Sequence, residues 1–267
     1  RVRNMNYHSE STTKQMIDLT GQHIFIAGGS RGIGAAAALL AAKAGATVSV
    51  NYVRNQEAAE KVVAQIEQAG GKAGAFQADI SVEGEAERAV DAAVQRFGDL
   101  SGMVVSSGIF EGEPIEEMSA EFWDRTMSIN LRGTFLTVKA GAKHLRSAGK
   151  GGSIVIYTST AGQRGSAVYS AYATSKGAQI MFMRSMALEL APDKIRVNCI
   201  APAWTQTDMT TDSIASIGLD VIERGFPLGR IGQPEDLAGP TCFLLSDLAG
   251  FITGVTLTVD GSMDMRG

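Results

Sequence analysis

The sequence predicts an α/β fold: a single Rossmann-type, doubly wound parallel sheet with helices on both faces. Three observations carry this prediction. Short β-branched runs alternate with longer helical patterns along the 267 residues, which is typical of parallel sheets built from strand–helix–strand units. The apolar runs lack the alternation of apolar and polar residues that is typical of strands with one solvent-exposed face. Both faces of the sheet are therefore expected to be covered. A glycine-rich turn separates the first strand from the first helix.

The alternation of strands and helices can be followed along the chain in order. Strands are predicted at residues 23–28, 47–52, 72–78, 101–107, 153–159, 196–200 and 256–259. Helices are predicted at residues 32–44, 56–69, 82–97, 119–145, 170–190 and 234–245. Residues 203–228 carry mixed signals and follow the carboxyl end of a strand, where ligands bind in open parallel sheets. They are predicted to form a mobile substrate loop, with Trp204, Met209, Ile214, Ile217 and Phe226 as either lid or packing residues.

Composition excludes several classes of protein. Hydrophobic residues make up 45% and charged residues 19% of the chain, as in soluble globular proteins. The formal net charge is -4 and no basic stripe is present, so no nucleic-acid partner is expected. No apolar run reaches the roughly 18 residues that span a bilayer, so no membrane partner is expected. The histidines His8, His23 and His144 lack metal-ligand spacing, so no metal is predicted.

Cysteine usage and the chain ends bear on location and domain organisation. Cys199 and Cys242 both lie in apolar segments, which favours free buried thiols in a reducing compartment and hence a cytoplasmic protein. Residues 1–16 are polar and without helical periodicity, so residues 1–18 are predicted to be a flexible N-terminal tail. Because no linker divides the rest, residues 19–267 are predicted to form one domain.

The glycine-rich turn is Gly28-Gly29-Ser30-Arg31-Gly32-Ile33-Gly34. Gly28 allows a sharp turn, Gly32 lets the backbone approach a pyrophosphate, and Gly34 lets the helix pack closely on the sheet. Free N–H groups and a positive dipole at the helix N-terminus favour phosphate. The turn, including Ser30, Arg31 and Ile33, is therefore predicted to bind a dinucleotide cofactor.

The end of the second predicted strand bears on the choice of cofactor. An acidic residue there would bind the adenosine ribose hydroxyls of NAD. This chain has Asn51 instead, with Arg31 in the glycine-rich turn and Arg54 just beyond. A missing carboxylate together with nearby cations favours a 2′-phosphate, so NADP(H) is predicted and NAD(H) remains the alternative.

Tyr172 and Lys176 open the helix that follows the fifth predicted strand. Residues four apart share one helix face, with Cβ atoms about 5–6 Å apart. A lysine charge at about 6 Å, at an effective dielectric constant near 20, is worth roughly 3 kcal/mol. This interaction predicts a tyrosine pKa lowered by roughly two units from about 10, which suits a general acid or base. The alternative is an ordinary pair of residues on a helix surface. The glycine-rich turn in the N-terminal half of the chain makes that alternative weaker.

From about Leu19 to the C-terminus the chain resembles the short-chain dehydrogenase/reductase family, and within it the 3-oxoacyl-[acyl-carrier-protein] reductases. The resemblance rests on the glycine pattern and on several further motifs: Ala78-Asp79-Ile80, Asn130-Leu131-Arg132-Gly133, Ser159, Tyr172 with Lys176, Arg196-Val197-Asn198, Ile252-Thr253-Gly254 and Val259-Asp260-Gly261. The spacing of Tyr172 and Lys176 differs from that of the enoyl-thioester reductases.

The resemblance implies roles for individual residues. Ser159 is expected to hydrogen-bond the substrate oxygen, Tyr172 to transfer the proton, and Lys176 to depress the tyrosine pKa and hold the nicotinamide ribose. Asn130 is expected to carry a water that links Lys176 to solvent. Further cofactor contacts are expected from Asp79, Ile80, Ser106, Gly108, Pro202, Thr205 and Thr207.

Three positions depart from the family pattern. Ala27 replaces the threonine that usually opens the glycine motif, and Ala203 stands where a glycine normally follows proline. Residues 105–108 read Val-Ser-Ser-Gly where the family commonly has Asn-Asn-Ala-Gly. This last change puts the usual side-chain support of the adenosine side in doubt.

The favoured function is an NADP(H)-dependent oxidoreductase that interconverts a small-molecule ketone and a secondary alcohol, with 3-oxoacyl thioesters among the candidate substrates. The first alternative is an NAD-dependent dehydrogenase of a sugar, polyol or cyclic alcohol. A non-catalytic nucleotide-sensing protein is the alternative from another class, because a fold alone does not dictate function. The resemblance implies a homotetramer.

Overall fold

Seven parallel strands form one sheet in the order β3-β2-β1-β4-β5-β6-β7 in the computed structural model, which describes residues 17–264. The strands are β1 His23–Ala27, β2 Thr47–Tyr52, β3 Lys72–Gln77, β4 Gly102–Val105, β5 Gly152–Tyr157, β6 Ile195–Pro202 and β7 Thr256–Val259. Their predicted positions agree within a few residues, and the predicted parallel α/β architecture is confirmed.

Helices connect successive strands and cover both faces of the sheet. The helices are α1 Gly32–Lys43, α2 Gln56–Gln68, α3 Glu85–Phe97, α4 Ala120–Met127, α5 Gly133–Ala148, α6 Thr160–Arg164, α7 Ser170–Leu190, α8 Thr211–Ile217, α9 Leu219–Glu223 and α10 Pro234–Leu245. The bounds of α7 and α10 are those that the sequence pattern predicts.

Strand β1 shows why the apolar runs do not alternate with polar residues. All five of its residues are buried. Ile24 and Ile26 pack into a core that includes buried side chains of α1, α2 and α10. Phe25 points the opposite way, into a core shared with α3, α5 and α7. Because neighbouring side chains enter different cores, the four positions from Ile24 to Ala27 are all apolar.

The structure differs from the predicted elements in two places. The helix expected at 119–145 is interrupted by a π-helical turn, Ser128–Arg132, between α4 and α5. Such turns insert one residue and occur often at functional sites. The expected loop at 203–228 contains α8 and α9, because Ile214, Ile222 and Phe226 build a small apolar cluster of their own.

Part of the predicted N-terminal tail, residues 1–16, lies outside the described residues. Ile17, near the end of the predicted tail, packs against the core. Cys199 and Cys242 are buried free thiols, as predicted. Within residues 17–264 no helix combines the length and apolarity needed to cross a bilayer.

The strand order determines where a ligand site forms. Strand β1 pairs with β2 on one side and with β4 on the other, so the connections leave in opposite directions from this point. In open parallel sheets a crevice opens at such a reversal, outside the carboxyl ends of the strands. The glycine-rich turn follows β1, and the segments after β4, β5 and β6 end at the same edge.

Candidate active site

The glycine-rich turn has the shape that a close backbone approach requires. Gly28 and Gly32 have φ angles of 74° and 53°, in the left-handed region that glycine adopts without strain. A Cβ atom on Gly34 would overlap the Gly28 carbonyl oxygen and lie 2.5 Å from Ser106 Oγ. The first turn of α1 therefore packs directly on the turn, and its N–H groups are available to an anion. These features fit a dinucleotide pyrophosphate.

Ser106 supports this turn from the end of β4. Its Oγ donates a hydrogen bond to the Ala27 carbonyl at 2.8 Å, and its backbone N–H donates to the same oxygen at 3.0 Å. A Cβ on Gly28 would lie 2.7 Å from Ser107 Oγ, so the two segments are in contact. Although residues 105–108 depart from the family pattern, Ser106 stabilises the glycine-rich turn by its hydrogen bonds.

Asn51 lies outside the cleft, contrary to the prediction that it contacts the cofactor. Its side chain is fully buried, with Nδ2 donating to the carbonyls of Phe76 and Ala78, both at 3.1 Å. Its Oδ1 accepts from the Gly28 N–H at 3.3 Å. Strand β2 lies between β3 and β1. The Asn51 side chain is therefore enclosed at the carboxyl edge of the sheet, where it orients the glycine-rich turn. Val53 and Arg54 line the cleft at this place instead.

The other predicted adenosine-side residues do border the cleft. Arg31 lines it and forms a 3.7 Å ion pair with Asp208, where both side chains are largely exposed. Asp79 and Ile80 also line it. The Asp79 carboxylate accepts hydrogen bonds from the N–H and the Oγ of Ser81. Asp79 therefore shapes its own turn, as a capping residue does.

The segment after β6 forms the opposite wall of the cleft. Pro202, Thr205 and Thr207 line it, as predicted from the resemblance. A Cβ on Gly32 would lie 3.3 Å from Thr207 Cγ2, so this segment faces the glycine-rich turn directly. Thr210 Oγ1 donates to the Thr205 carbonyl at 2.6 Å and accepts from the Thr207 N–H at 3.1 Å, which holds the segment in place.

Ser159, Tyr172 and Lys176 meet at the other end of the same cleft. Tyr172 and Lys176 lie in the first two turns of α7 and are 9% and 5% exposed. Ser159, the N-cap of α6 just after β5, lies beside the Tyr172 hydroxyl. The Lys176 Nζ lies 5.7 Å from the centroid of the Tyr172 ring and donates to the Tyr157 carbonyl at 3.0 Å. Both side chains face the carboxyl edge of the sheet.

Asn130 sits in the π-helical turn behind these residues. Its Oδ1 accepts from the Ile109 N–H at 2.8 Å, and its Nδ2 donates to Ser175 Oγ at 3.1 Å. Ser175 Oγ in turn donates to the Tyr172 carbonyl at 2.7 Å. A Cβ on Gly108 would lie 3.1 Å from Asn130 Oδ1 and 3.5 Å from Lys176 Nζ, so glycine keeps this space open.

The cleft has a volume of about 660 Å³, within the range of small-molecule sites. It runs from the glycine-rich turn to the Ser159–Tyr172–Lys176 group. Comparison with known proteins agrees with this arrangement. A family model described as enoyl-(acyl carrier protein) reductase matches residues 27–264. The chain belongs to the short-chain dehydrogenase/reductase family.

Individual relatives match across nearly their whole length. A 3-oxoacyl-[acyl-carrier-protein] reductase of Synechocystis sp. is 38% identical, over 94% of this chain and 100% of the relative. An L-rhamnose 1-dehydrogenase (NAD(P)(+)) of Sphingomonas sp. is 37% identical, over 92% and 97%. The crystal structure of a gluconate 5-dehydrogenase from Burkholderia cenocepacia, in complex with NADP and tartrate, superposes with a TM-score of 0.88 and 29% identity, covering 94% and 98%. The prediction of a short-chain dehydrogenase/reductase enzyme is confirmed.

The ionisation of this family member's tyrosine differs from the sequence-based expectation. Burial raises the pKa of Tyr172 above its ordinary value, and the hydrogen bond from Ser159 opposes this only in part. Burial likewise lowers the pKa of Lys176 to about 8. The predicted depression of the tyrosine pKa is therefore wrong for the resting site. Removal from water disfavours the phenolate form of Tyr172. The nearby ammonium of Lys176 favours that form, but its effect is smaller because Lys176 is also removed from water.

Asn130 is also held through its backbone carbonyl. Its carbonyl oxygen accepts hydrogen bonds from Gln179 Nε2 at 2.8 Å and from Thr134 Oγ1 at 2.7 Å. A carbonyl oxygen has two lone pairs, so these donors occupy both. Side chains of α5 and α7 thus hold the π-helical turn.

Gln179 is a residue that the sequence analysis missed. It is fully buried, and its Nε2 also donates to Thr134 Oγ1 at 2.6 Å. Its Oε1 has no hydrogen-bond partner among the described residues. A polar residue between Ala178 and Ile180, one helical turn after Lys176, is the signal that could have identified it.

Replacing Gln179 by glutamate is expected to lower the free energy of unfolding by about 3 kcal/mol, because a buried carboxylate offers no donor to either partner. Replacement by leucine is expected to cost about 1 kcal/mol or less, since it also removes the unpartnered oxygen. Urea unfolding at pH 7 measures both changes, with Gln65→Glu on the exposed face of α2 as control. Equal destabilisation by glutamate and leucine would contradict the hydrogen-bond account.

Proposed function

We propose that this protein is an NADP(H)-dependent oxidoreductase that interconverts a ketone and a secondary alcohol. One observation carries the proposal: Ser159, Tyr172 and Lys176 converge at one end of a cleft whose other end is the glycine-rich turn. A dinucleotide on the turn fits the bare backbone of Gly28, Gly32 and Gly34, and it would extend along the cleft past Thr205 and Thr207. When bound, the nicotinamide supplies or accepts a hydride.

The residues of the chain account for the remaining chemistry. The hydroxyls of Ser159 and Tyr172 are positioned together to hold the substrate oxygen. Tyr172 delivers a proton to that oxygen during reduction and removes it during oxidation. The buried ammonium of Lys176 stabilises the phenolate that forms when Tyr172 gives up its proton. The completeness of this set favours turnover over a nucleotide-sensing role.

The choice of NADP(H) rests on the residues at the adenosine end of the cleft. Val53 and Arg54 line the cleft just after β2, where an acid would be needed to bind the ribose hydroxyls of NAD. Arg31 adds a second cation, although it is shared with Asp208. A structural relative, the gluconate 5-dehydrogenase, is in complex with NADP. The alternative, use of NAD by a sugar or polyol dehydrogenase, is supported by the similarity to an L-rhamnose 1-dehydrogenase named for both cofactors.

The cofactor proposal is tested by Arg54→Gln in assays with NADPH and NADH. We expect wild type to prefer NADPH, and the substitution to raise the KM for NADPH about tenfold, because an exposed charge-assisted hydrogen bond to phosphate contributes roughly 1.4 kcal/mol. The KM for NADH should change less than about twofold. Arg88→Gln, which removes an exposed arginine outside the cleft, is the matched control. A wild-type preference for NADH, or equal effects on both cofactors, would refute NADP(H) selection.

Three further features are part of the same proposal. Residues 19–267 act as one catalytic domain, and the buried free thiols support a reducing compartment such as the cytoplasm. The chain assembles as a homotetramer, as the family resemblance implies. Exposed apolar side chains on α5 and α7, namely Phe135, Met181 and Leu188, offer surface for contact with further copies.

A further inference from the structure

An aromatic wall, defined as Phe110, Tyr169 and Trp204, borders the substrate end of the cleft. The Phe110 and Tyr169 rings are stacked with centroids 4.5 Å apart and an interplanar angle of 4°. Trp204 meets Phe110 edge-on at 5.5 Å. Phe110 also meets the Tyr172 ring edge-on at 4.9 Å, so the wall directly adjoins the proton-transferring group.

The backbone is arranged to hold this wall in place. A Cβ on Gly112 would lie 2.7 Å from Cε1 of the Tyr169 ring, so only glycine lets the ring pack there. The Glu113 N–H donates to the Val168 carbonyl at 2.8 Å, which ties the two segments together. Val168 itself has a φ of 69°, a costly conformation for a β-branched residue. Backbone strain of this kind is retained where it positions a functional side chain.

Two arginines that line the cleft are already paired with carboxylates. Arg125 lines the cleft and makes a two-point ion pair with Glu111. Arg164 also lines it and binds Asp264 at 2.6 Å. Both arginines are therefore neutralised by carboxylates of the same chain. Phosphate-bearing carriers, such as those of acyl thioesters, would have to break these pairs to gain a cation.

We propose that the substrate of this site is a ketone carried on a flat, largely apolar ring system. This inference rests on the proposed function and names the substrate class for it. Rigid aromatic side chains bury the faces of a flat ring with little loss of side-chain freedom. A polyhydroxylated sugar would need partners for its many hydroxyls, and of the wall's side chains only Tyr169 and Trp204 carry a hydrogen-bonding group. A flexible acyl chain would lose more conformational freedom in the same space.

The test compares two ketones of equal carbon number, the fused-ring 2-tetralone and the open-chain 2-decanone, together with an acetoacetyl thioester. With NADPH, wild type is expected to show a kcat/KM for 2-tetralone at least about tenfold above the other two. Phe110→Leu and Trp204→Leu are each expected to reduce this preference about tenfold, mainly through the KM for 2-tetralone. Trp204 is the cleaner position, because its ring contact is with Phe110 and not with Tyr172.

The control is Phe97→Leu, which removes a ring from an aromatic cluster with His23 and Phe76 outside the cleft. It should leave the ring-to-chain preference unchanged. Circular dichroism verifies that each variant is folded. A wild type that reduces 2-decanone or the thioester as well as 2-tetralone would overturn the ring proposal while the proposed function stands. Absence of turnover with all three ketones would overturn both, and an unchanged preference in Trp204→Leu would overturn the role of the wall.

Discussion

Replacing Tyr172 by phenylalanine is expected to lower kcat for ketone reduction by about 10³-fold, within the range that general acid–base catalysis contributes. The substitution deletes one hydroxyl in a site where Ser159 is the partner of that hydroxyl. Phenylalanine keeps the ring and its edge-on contact with Phe110. What is lost is the proton donor alone, so the effect is expected in kcat and not in cofactor binding.

Two measurements distinguish this loss from damage to the fold. The free energy of unfolding should change by no more than about 1 kcal/mol, because Ser159 Oγ still accepts from the Ala161 N–H at 3.1 Å. The Kd for NADPH should rise no more than about threefold. Tyr52→Phe applies the same change to a buried tyrosine outside the cleft and should leave kcat at the wild-type value. A Tyr172→Phe enzyme with near-normal kcat would remove the mechanism.

Replacing Lys176 by methionine is expected to have opposite effects on activity and stability. Activity should fall by about 10²-fold, because an ammonium 5.7 Å from the Tyr172 ring is worth about 3 kcal/mol to a phenolate at an effective dielectric constant near 20. Stability at pH 7 should rise by about 1 kcal/mol, because the buried charge is removed while one hydrogen bond to the Tyr157 carbonyl is lost.

The pH dependence of stability follows from the same group. Burial lowers the pKa of Lys176 to about 8 in the folded protein, from its ordinary value of 10.5. Between these values the unfolded chain binds more protons than the folded one, so the free energy of unfolding rises with pH. The penalty is fully present below pH 8 and is relieved as the pH approaches 10.5.

Chemical unfolding of wild type and Lys176→Met from pH 7 to pH 10 measures this difference. The advantage of the methionine variant should shrink as the pH rises through the window above pH 8. Lys61→Met, at an exposed position of α2, should show no such trend. A methionine variant that is less stable than wild type at pH 7 would show that Lys176 is well compensated in the fold.

Features that depend only on residues close together in the chain can be predicted from this sequence. Most strands are short, mainly apolar runs, and several helices carry a clear amphipathic periodicity, as in α2 and α3. The glycine-rich turn was recognisable because Gly28, Gly32 and Gly34 meet local needs of backbone conformation and space. The proximity of Tyr172 and Lys176 could be predicted from the sequence, because a helix brings residues four apart onto one face.

The predictions that depended on surroundings were less accurate. Asn51 was expected in the cleft, but hydrogen bonds to Phe76, Ala78 and Gly28 turn it into the sheet edge. The pKa of Tyr172 was expected to fall, because the pairwise distance was considered without the burial of both groups. The π-helical turn at Asn130 does not follow from the local pattern, and one of its stabilising hydrogen bonds comes from Gln179, 49 residues away.

The sequence by itself determined the order of strands and helices, the glycine-rich turn and the pairing of Tyr172 with Lys176 on one helix face, since each depends on residues close together in the chain. The tertiary structure alone decided which side chains face the cleft, how far burial shifts their ionisation, and that Phe110, Tyr169 and Trp204 meet beside Tyr172. Desolvation and side-chain packing depend on every neighbour in space. Those neighbours come from strands and loops far apart in the chain, and folding is what brings them together.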